Sequence, residues 1–504
     1  MSLKVVIIGA VALGPKAACR LKRLKPDSQV TMVDRDRIIS YGGCGIPYYI
    51  SGDVSEPTQL MSTSFHMTRD AKFFRNAKDI NVLPGTEAVS IDRGNKTVRV
   101  RNVESGEEQD LEYDKLVIAT GSKPRALPIP GSDLKGVTAV SNLNEAIRIK
   151  ESITKGEVGS AVIIGGGAIG LEMAEALADL WGIETSVVEI MDQILPGVVE
   201  PSLAHMAQKT MEDNGISIYL SEKVISIEGD GHVERVVTDK RTLDADLVIM
   251  AVGVRPDPDL AASCGLDITP GGAIAVNNRF QTSDPDIYSG GDCIENHHLI
   301  TGDPVYMPSG SLANRQGRII GTNLAGGEAE FPGVVGSFII KIFDLAVAKA
   351  GITLAQAKAH GFDAIEAFVV QADRAHFYPE MELLYMNLIV EKVTGRVLGV
   401  QGLGHKKAGV DGRVNAIAAL LQHHPTVEDI SNLEMAYAPP FSAAMDIVNA
   451  LGNTAENILA EKNRTIDVDE FQRLFAEHHT GDVIVLDVRG HANAAPFVEK
   501  YSLS

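Results

Sequence analysis

Basic residues and cysteine are both scarce in this chain. Its 504 residues contain 46 Lys and Arg against 66 Asp and Glu, a formal net charge of −20. Because nucleic acid binds cationic surfaces, this charge balance argues against nucleic acid as a general partner, although it does not exclude a local basic pocket for a phosphorylated ligand. The four cysteines, Cys19, Cys44, Cys264 and Cys293, lack the spacing of a metal site or a disulfide framework. We therefore expect no metal and a reducing, cytoplasmic location.

Long apolar runs are also missing. No stretch of about 18 apolar residues occurs, so we expect no membrane span. Lys4 is followed by a short strand pattern and a glycine turn, so we expect no signal peptide. Hydrophobic residues make up 45% of the chain and charged residues 22%, as in ordinary soluble proteins, and the length predicts about three domains.

The first segment with a clear pattern is 4–34. An apolar run over 4–8 predicts a buried parallel strand, a glycine turn follows, a helix is expected over 15–24, and a second strand over 29–33 ends at Asp34. This layout seats the ADP part of a dinucleotide, with pyrophosphate on the helix N-terminus and ribose hydroxyls on Asp34. Val11 replaces the middle glycine of the fingerprint, so a turn that binds no ligand is the alternative.

Residues 161–189 repeat this pattern with a complete fingerprint. A strand over 161–164 leads into Gly165, Gly167 and Gly170, a helix is expected over 171–180, and a strand over 185–188 ends at Glu189. A carboxylate at this place accepts from the ribose 2′-OH and repels a 2′-phosphate, which favours NADH over NADPH. Two dinucleotide folds indicate two nucleotides, one fixed and one exchanging.

Two further segments favour FAD in the first fold. A strand over 116–118 enters the turn of Ala119, Thr120 and Gly121, and a strand expected over 282–289 closes on Gly291 and Asp292. An aspartate at such a turn can accept from a sugar-like hydroxyl chain, and a helix N-cap is the alternative.

A single cysteine lies in the glycine-rich segment 40–49. Pro47 is well placed for the first turn of a helix that follows Cys44. A thiol at a helix N-terminus is favoured as a thiolate by unpaired N–H groups and the helix dipole. The next cysteine along the chain is Cys264, so Cys44 has no local disulfide partner. The alternative is a small buried residue in a turn.

Taken in order, these motifs resemble the flavin-dependent pyridine nucleotide–disulfide oxidoreductases. Within that family the chain is similar to the single-cysteine branch of coenzyme A disulfide reductases, NADH oxidases, NADH peroxidases and NADH-dependent persulfide or polysulfide reductases. The resemblance implies an α/β fold with two Rossmann-like domains, an α+β dimerisation domain and a short α/β C-terminal appendage. The implied limits are 1–150 and 271–330 for FAD, 151–270 for NAD, 331–455 for dimerisation, and 456–504 for a linker and a partial rhodanese-like region.

The resemblance also implies the ligands FAD, NADH (with NADPH as the alternative) and coenzyme A. The implied FAD contacts are Gly9, Val11, Ala12, Gly14, Asp34, Arg35, Ala119, Thr120, Gly121, Gly291 and Asp292. The implied NAD contacts are Gly165, Gly167, Ala168, Ile169, Gly170, Glu189 and Gly253. The implied coenzyme A contacts are Lys16, Arg20, Arg23, Ser40, Gly43 and Lys78, and the spacing of Arg20 and Arg23 puts both on one helix face.

Cys44 matches the family nucleophile, which alternates between a thiolate and a mixed disulfide with coenzyme A. Tyr378 and Tyr437 match two tyrosines that, in the coenzyme A enzymes, reach the partner subunit's cysteine, and they would help to protonate the leaving sulfur. The implied function is NADH-driven reduction of coenzyme A disulfide, coenzyme A persulfide or polysulfide in a homodimer. The alternatives are an NADH oxidase that cycles Cys44 through sulfenic acid, a ferredoxin-reductase-like electron carrier and a non-catalytic thiol sensor.

Several positions depart from the relatives. Gly43 stands where relatives often have asparagine, and Met445 where some have a lysine for coenzyme A. Ala12 replaces the histidine of the peroxidases, and Ala168 an aromatic ring that shields the flavin, so a more open nicotinamide pocket is expected.

The C-terminal third gives weaker patterns. Strands are expected over 336–347, 364–371 and 383–391, and a helix over 410–421. Asp411 and Arg413 of that helix fit a solvated helix start and a ligand role equally well. Residues 455–464 are expected to be a connector. The run 482–489 resembles the opening of a rhodanese domain, and a small α/β appendage is the alternative.

Overall fold

The computed structural model describes residues 2–466, 468–478 and 481–501. Within these residues, three five-stranded sheets organise the fold, two parallel and one antiparallel. The strands of the parallel sheets are apolar because helices cover both faces, which is typical of doubly wound folds.

The first sheet carries the N-terminal dinucleotide fold. Its parallel strands lie in the order Ile287–Ser289, Lys115–Ile118, Lys4–Ile8, Gln29–Asp34 and Asn81–Pro84. The helices of this domain are Leu13–Leu24, Ile46–Ser51, Pro57–Leu60, Ala71–Lys78 and Gly310–Leu324, the last of which we call the cavity helix. An antiparallel sheet of Thr86–Asp92, Thr97–Asn102 and Glu108–Glu112 and the pair Asn296–His297 and Pro304–Val305 complete it.

Two expectations for this domain are corrected. Its first helix begins at Leu13 and not at residue 15, because Pro15 fits within a first turn whose N–H groups have no helical partner. The strand expected over 282–289 forms only at Ile287–Ser289. Thr282 N donates to Ile287 O over 2.9 Å across a turn that contains Pro285, and proline cannot donate to a strand ladder.

The second sheet carries the other dinucleotide fold. Its parallel strands lie in the order Ser217–Tyr219, Glu184–Val188, Ser160–Ile164, Leu247–Met250 and Val137–Thr138. The helices are Leu143–Thr154, Ala168–Ala178, Pro201–Asp213 and Asp259–Ser263, with a small sheet of Val224–Glu228, Arg235–Thr238 and Thr242–Asp244. Ser122–Pro124 pairs with Val254–Pro256. The fingerprint helix begins at Ala168, earlier than the expected residue 171, directly after Gly167.

The third sheet is antiparallel. Its strands lie in the order Phe338–Ile342, Leu345–Gly351, Val397–His405, Leu383–Glu391 and Ala364–Ala372. The accompanying helices are Leu354–Ala359, Val410–Leu421, Val427–Ser431 and Ile447–Leu459, and two more follow at Val468–Glu477 and His491–Tyr501.

Four expectations for this region are corrected, and one strand was missed. The strand expected over 336–347 is a hairpin that turns at Phe343, whose φ is 51°. Strand Val397–His405 was not predicted, and helix Ile447–Leu459 includes the first residues of the expected connector. Residues 482–489 form no strand with any other described residue, and Ile484, Leu486 and Val488 are exposed. Arg413 is buried in an ion pair with Asp446, which is neither a solvated helix start nor a ligand contact.

Buried polar contacts join the second domain to its neighbours. Glu175, on the fingerprint helix, accepts from Lys341 Nζ and from Phe343 N of the third sheet. Glu200 N donates to Gln401 Oε1 over 2.6 Å, and Gln401 Nε2 returns a 3.2 Å bond to Glu200. Trp181 Nε1 donates over 2.8 Å to Ile50 O, in the helix after Cys44.

In the described part of the chain, no helix combines the length and apolar character that crossing a bilayer requires.

Candidate active site

A cavity of about 1750 Å³ runs between the three sheets. It exceeds the roughly 300–1,000 Å³ of a typical small-molecule site, so more than one ligand can fit. Every residue proposed for FAD lies on its wall: Gly9, Val11, Ala12, Gly14, Asp34, Arg35, Ala119, Thr120, Gly121, Gly291 and Asp292. The carboxyl ends of the first parallel sheet form this wall, which is where open α/β sheets bind ligands.

The first glycine turn is closed by backbone contacts that exclude larger residues. A Cβ on Gly9 would lie 2.1 Å from the carbonyl oxygen of Ala119, and one on Gly14 would lie 2.0 Å from that of Gly9. Asp34 accepts from Ala10 N over 2.8 Å, and its burial raises the pKa of the carboxyl group. The turn, the helix N-terminus and the acid therefore have the arrangement that an ADP group needs, despite Val11.

Asp292 connects the first sheet to the cavity helix. Its Oδ1 accepts from Ser309 N over 3.1 Å, at the residue that precedes that helix. Burial raises the pKa of Asp292. This bond fixes the start of a helix distant in sequence, while the carboxyl group still lies on the cavity wall, where it can accept from ligand hydroxyls.

The second glycine turn repeats the geometry of the first. A Cβ on Gly170 would lie 2.0 Å from Gly165 O, whereas the space beside Gly167 is open, as close approach of a pyrophosphate requires. Buried Glu189 accepts from Gly166 N over 2.6 Å and from Met191 N over 2.8 Å. Ala168 and Ile169 line the cavity, whereas Gly165, Gly167, Gly170, Glu189 and Gly253 lie outside its wall.

Cys44 is exposed on the wall of this cavity. It lies in the 3₁₀ turn Gly43–Gly45, directly before helix Ile46–Ser51, and it has no disulfide partner. A Cβ on Gly310 would lie 3.6 Å from Cys44 Sγ, so the thiol lies beside the N-terminus of the cavity helix. Unpaired N–H groups at such a terminus stabilise anions.

Cations line one part of the cavity near the first helix. Lys16, Arg23 and Lys78 lie on the wall, together with Ser40 and Gly43. Arg20, three residues before Arg23 in the same helix, does not lie on the wall: its Nε donates to Thr322 Oγ1 over 3.0 Å. Its aliphatic part packs against Gly321 of the cavity helix, where a side chain would clash with it.

Tyr378 and Tyr437 lie away from the cavity of their own chain. They sit on neighbouring loops of the third domain, and Ala375 N donates to Pro439 O over 3.2 Å between these loops. Tyr437 is 51% exposed, Phe377 68% and Phe441 77%. Such a cluster of exposed aromatic side chains is typical of a surface that another protein covers.

Glu172 is a cavity residue that the sequence analysis missed. Burial raises its pKa to about 7, nearby Glu175 adds to the shift, and Lys341 opposes it. The spacing of Glu172 and Glu175 on the fingerprint helix was the available signal, since residues three apart share a face. Asp411 also lines the cavity, whereas Arg413 of the same helix pairs with Asp446.

Comparison with known proteins agrees with this architecture. The family model "Pyridine nucleotide-disulphide oxidoreductase" matches residues 3–317, and its "dimerisation domain" model matches 337–448. The NAD(P)H sulfur oxidoreductase (CoA-dependent) of Pyrococcus abyssi is 37% identical over 442 residues, covering 88% of this chain and 96% of that protein. An NADH oxidase of Methanocaldococcus jannaschii is 34% identical over 460 residues, covering 91% and 100%.

A solved structure is similar over most of the chain. The NAD-dependent persulfide reductase from A. fulgidus superposes with a TM-score of 0.89 at 39% identity, covering 92% of this chain and 85% of that one. The two dinucleotide folds and the α+β third domain expected from the sequence are thereby confirmed. The chain belongs to the pyridine nucleotide-disulphide oxidoreductase family.

Proposed function

We propose that this protein is an FAD-dependent NADH oxidoreductase that reduces coenzyme A disulfide, coenzyme A persulfide or polysulfide through Cys44. One observation carries the proposal: the exposed thiol of Cys44 shares a single large cavity with both the first glycine turn and the cations Lys16, Arg23 and Lys78. A sulfur substrate with a phosphorylated carrier needs a thiol and cations within reach of one another.

The two glycine turns would hold the cofactors. FAD fits the first turn, because the backbone cradle is closed to side chains and the remaining wall supplies Asp34 and Asp292. When bound, the flavin supplies two-electron transfer between nicotinamide and sulfur. Buried Glu189 favours NADH, since a 2′-phosphate would meet a carboxylate that is already tied to Gly166 and Met191.

Cys44 would act as the nucleophile. Its thiolate attacks one sulfur of coenzyme A disulfide, the S–S bond breaks, and the leaving coenzyme A thiolate takes a proton. The resulting mixed disulfide with Cys44 is then reduced by the two electrons of NADH, which releases the second coenzyme A thiol. Overall, disulfide, NADH and one proton give two thiols and NAD⁺, whereas a coenzyme A persulfide would give one thiol and hydrogen sulfide.

The phosphates of coenzyme A would meet the basic wall. Lys16, Arg23 and Lys78 supply its cations, whereas Arg20 supports the cavity helix through Thr322. Two coenzyme A contacts of some relatives are replaced by Gly43 and by Met445, so these three cations supply most of the charge for recognition. An acidic protein with this basic wall attracts a polyanion only locally.

The leaving sulfur would receive its proton from Tyr378 and Tyr437 of the partner subunit. Both tyrosines lie outside their own chain's cavity, on exposed loops of the domain that matches the dimerisation model. A positioned proton donor contributes typically 10²–10⁴-fold in rate. The domain limits, the cytoplasmic location and the rhodanese-like origin of residues 456–504 stay predictions.

The test is the Cys44→Ser protein, with Cys264→Ser as the matched control because Cys264 lies outside the cavity wall. Cys44→Ser should keep its flavin and its reduction by NADH, yet lose NADH-dependent release of thiol from coenzyme A disulfide. The control should keep all three. Full turnover in Cys44→Ser would refute the proposal, and rapid oxygen consumption by the wild type without any sulfur substrate would favour the NADH oxidase alternative.

A further inference from the structure

We propose that Arg413 is a positioning residue that fixes the two loops carrying Tyr378 and Tyr437, and thereby sets the proton-donor geometry in the partner subunit's active site. This inference rests on the proposed function, which places both tyrosines across the dimer. It concerns a residue that lies outside the cavity wall and that contacts no ligand site in its own chain.

The guanidinium group of Arg413 contacts one residue from each loop. Its Nη2 donates to Asp373 O over 2.7 Å and to Asp446 Oδ2 over 2.8 Å. Its Nε donates to both carboxylate oxygens of Asp446 over 3.1 and 3.2 Å, and its Nη1 donates to Ala408 O over 2.9 Å. Arg413 is 7% exposed and Asp446 2%, so water does not compete for these bonds.

Asp373 and Asp446 mark the places where the two loops join regular structure. Asp373 begins the first loop after a strand, and Asp446 ends the second loop before a helix. Asp373 directly follows strand Ala364–Ala372, and its carboxylate accepts from Glu382 N over 2.9 Å, which closes the loop that carries Tyr378. Asp446 caps helix Ile447–Leu459 by accepting from Val448 N over 3.1 Å, which ends the loop that carries Tyr437. Arg413 therefore holds the start of one loop against the end of the other.

Further bonds make the loops one unit. Ala375 N donates to Pro439 O over 3.2 Å, and Gln371 Nε2 donates to Met445 O over 2.7 Å. Tyr378 N donates to Ala375 O over 2.8 Å, so the first tyrosine follows the position of this junction. A shift at Arg413 would move both tyrosines together.

The chemistry of the contact favours a geometric role over a stabilising one. A buried ion pair gains little net stability, because desolvation offsets most of the attraction, and replacing both partners by apolar residues of similar volume is often tolerated, whereas removing one partner leaves the other charge unpaired. A planar guanidinium, in contrast, fixes several acceptors at defined angles, which a lysine ammonium group does not do. Arg413 uses this fork to relate a main-chain carbonyl of one loop to a carboxylate of the other.

The first test compares Arg413→Met with Arg413→Lys, and uses Arg396→Met as a control, since half-buried Arg396 of the same domain donates to Ile300 O and contacts neither loop. We expect Arg413→Met to bind flavin and to be reduced by NADH like the wild type. Its kcat for coenzyme A disulfide should fall on the order of 10²-fold, as misplaced catalytic groups do. Arg413→Lys should recover only part of this loss, and Arg396→Met should show none.

The second test separates action on the partner from action within the chain. Cys44→Ser and Arg413→Met subunits with different tags are co-expressed, and the heterodimer is purified. One of its two sites then combines Cys44 of the Arg413→Met chain with intact loops of the Cys44→Ser chain. We expect about half of the wild-type activity, because one of the two symmetric sites is complete.

An inactive heterodimer, or wild-type turnover in the Arg413→Met homodimer, would overturn this inference and leave the proposed function standing. Turnover in the Cys44→Ser homodimer would refute the proposed function itself. If Arg413→Met does not yield a folded dimer, Asp446→Asn replaces it in both tests, because the amide side chain still offers an oxygen to Val448 N but removes the charge opposite Arg413. The same outcomes then decide the inference.

Discussion

Cys44 and Gly310 lie side by side, although they are far apart in the sequence of the first domain. A Cβ built on Gly310 would lie 3.6 Å from Cys44 Sγ. Gly310 is the first residue of the cavity helix, so the thiol has that helix's N-terminus on one side and open cavity on the other. The size of the residue at 310 should therefore decide how a substrate sulfur reaches Cys44.

We predict that Gly310→Val lowers kcat/KM for coenzyme A disulfide about tenfold or more, a loss of about 1.4 kcal/mol in transition-state stabilisation. Its branched side chain would fill the space beside the sulfur. Gly310→Ala should be mild, since 3.6 Å is an ordinary contact distance. Stopped-flow reduction of the flavin by NADH should be unchanged in both. Wild-type kinetics in Gly310→Val would mean that the substrate approaches from another side.

The two glycine turns give a matched pair of predictions. Gly14→Ala should prevent FAD binding, because the new Cβ would lie 2.0 Å from Gly9 O, and Gly170→Ala should spare FAD but weaken NADH binding, because its Cβ would lie 2.0 Å from Gly165 O. Flavin absorbance of the purified proteins and titration with NADH measure the two effects. Loss of flavin in Gly170→Ala would contradict the assignment of the turns.

Glu172 predicts a pH dependence of stability. Its pKa is raised from the ordinary 4.5 to about 7. Between these two pKa values, the carboxyl group has lost its proton in the unfolded chain but keeps it in the folded chain. The free energy of unfolding of the wild type therefore falls as the pH rises from the lower pKa to the higher one. At alkaline pH, Glu172→Gln should therefore be more stable than the wild type and melt at a higher temperature. The gain in free energy of unfolding should be at most about 3 kcal/mol.

The difference between Glu172→Gln and the wild type should vanish below pH 4.5, where the carboxyl group is protonated in both states. Glu184→Gln, at an exposed position on a neighbouring strand, is the control and should follow the wild type at every pH. Thermal melts across this pH range make the comparison. A stability difference that does not change with pH would show that burial does not raise the pKa of Glu172.

The exposed aromatic loops predict a dimer that charge can break. Phe441→Glu should shift the protein toward the monomer in size-exclusion chromatography, because a carboxylate buried in an interface is costly. Val393→Glu is the control, since Val393 is 86% exposed in the same domain but lies outside the tyrosine loops. The monomer should also lose disulfide turnover, and an active monomer would contradict catalysis across the dimer.

Both dinucleotide folds could be predicted because their signals are local. In each fold, one short stretch contains the strand, the glycine turn, the helix and the acid, Asp34 or Glu189. Within such a stretch, the spacing of hydrophobic residues and the positions of the glycines decide the structure. The hairpin at Phe343 gave no such signal, because a phenylalanine adopts the left-handed conformation there without glycine. Strand Val397–His405 was missed because Gly399, Gly402 and Gly404 weaken its pattern.

Contacts between distant segments could not be predicted. Arg20 and Arg23 share a helix face by spacing, but Thr322 of the cavity helix draws Arg20 away from the cavity. A solvated helix start and a ligand role both stayed open for Arg413, because the sequence does not show that Asp446 supplies a buried counter-charge. The approach of Gly310 to Cys44 is of the same kind, since it depends on how the first domain closes.

The bonds of Glu175 to Lys341 and Phe343, and of Glu200 to Gln401, have a consequence for nucleotide traffic. They anchor the second dinucleotide domain to the domain that matches the dimerisation model, so a wide swing of the nucleotide domain would have to break buried bonds between the two domains. Exchange of oxidised for reduced nucleotide should instead require only small side-chain movements around Ala168 and Ile169 on the cavity wall. Arrival and departure of the dinucleotide should then leave the quaternary arrangement undisturbed.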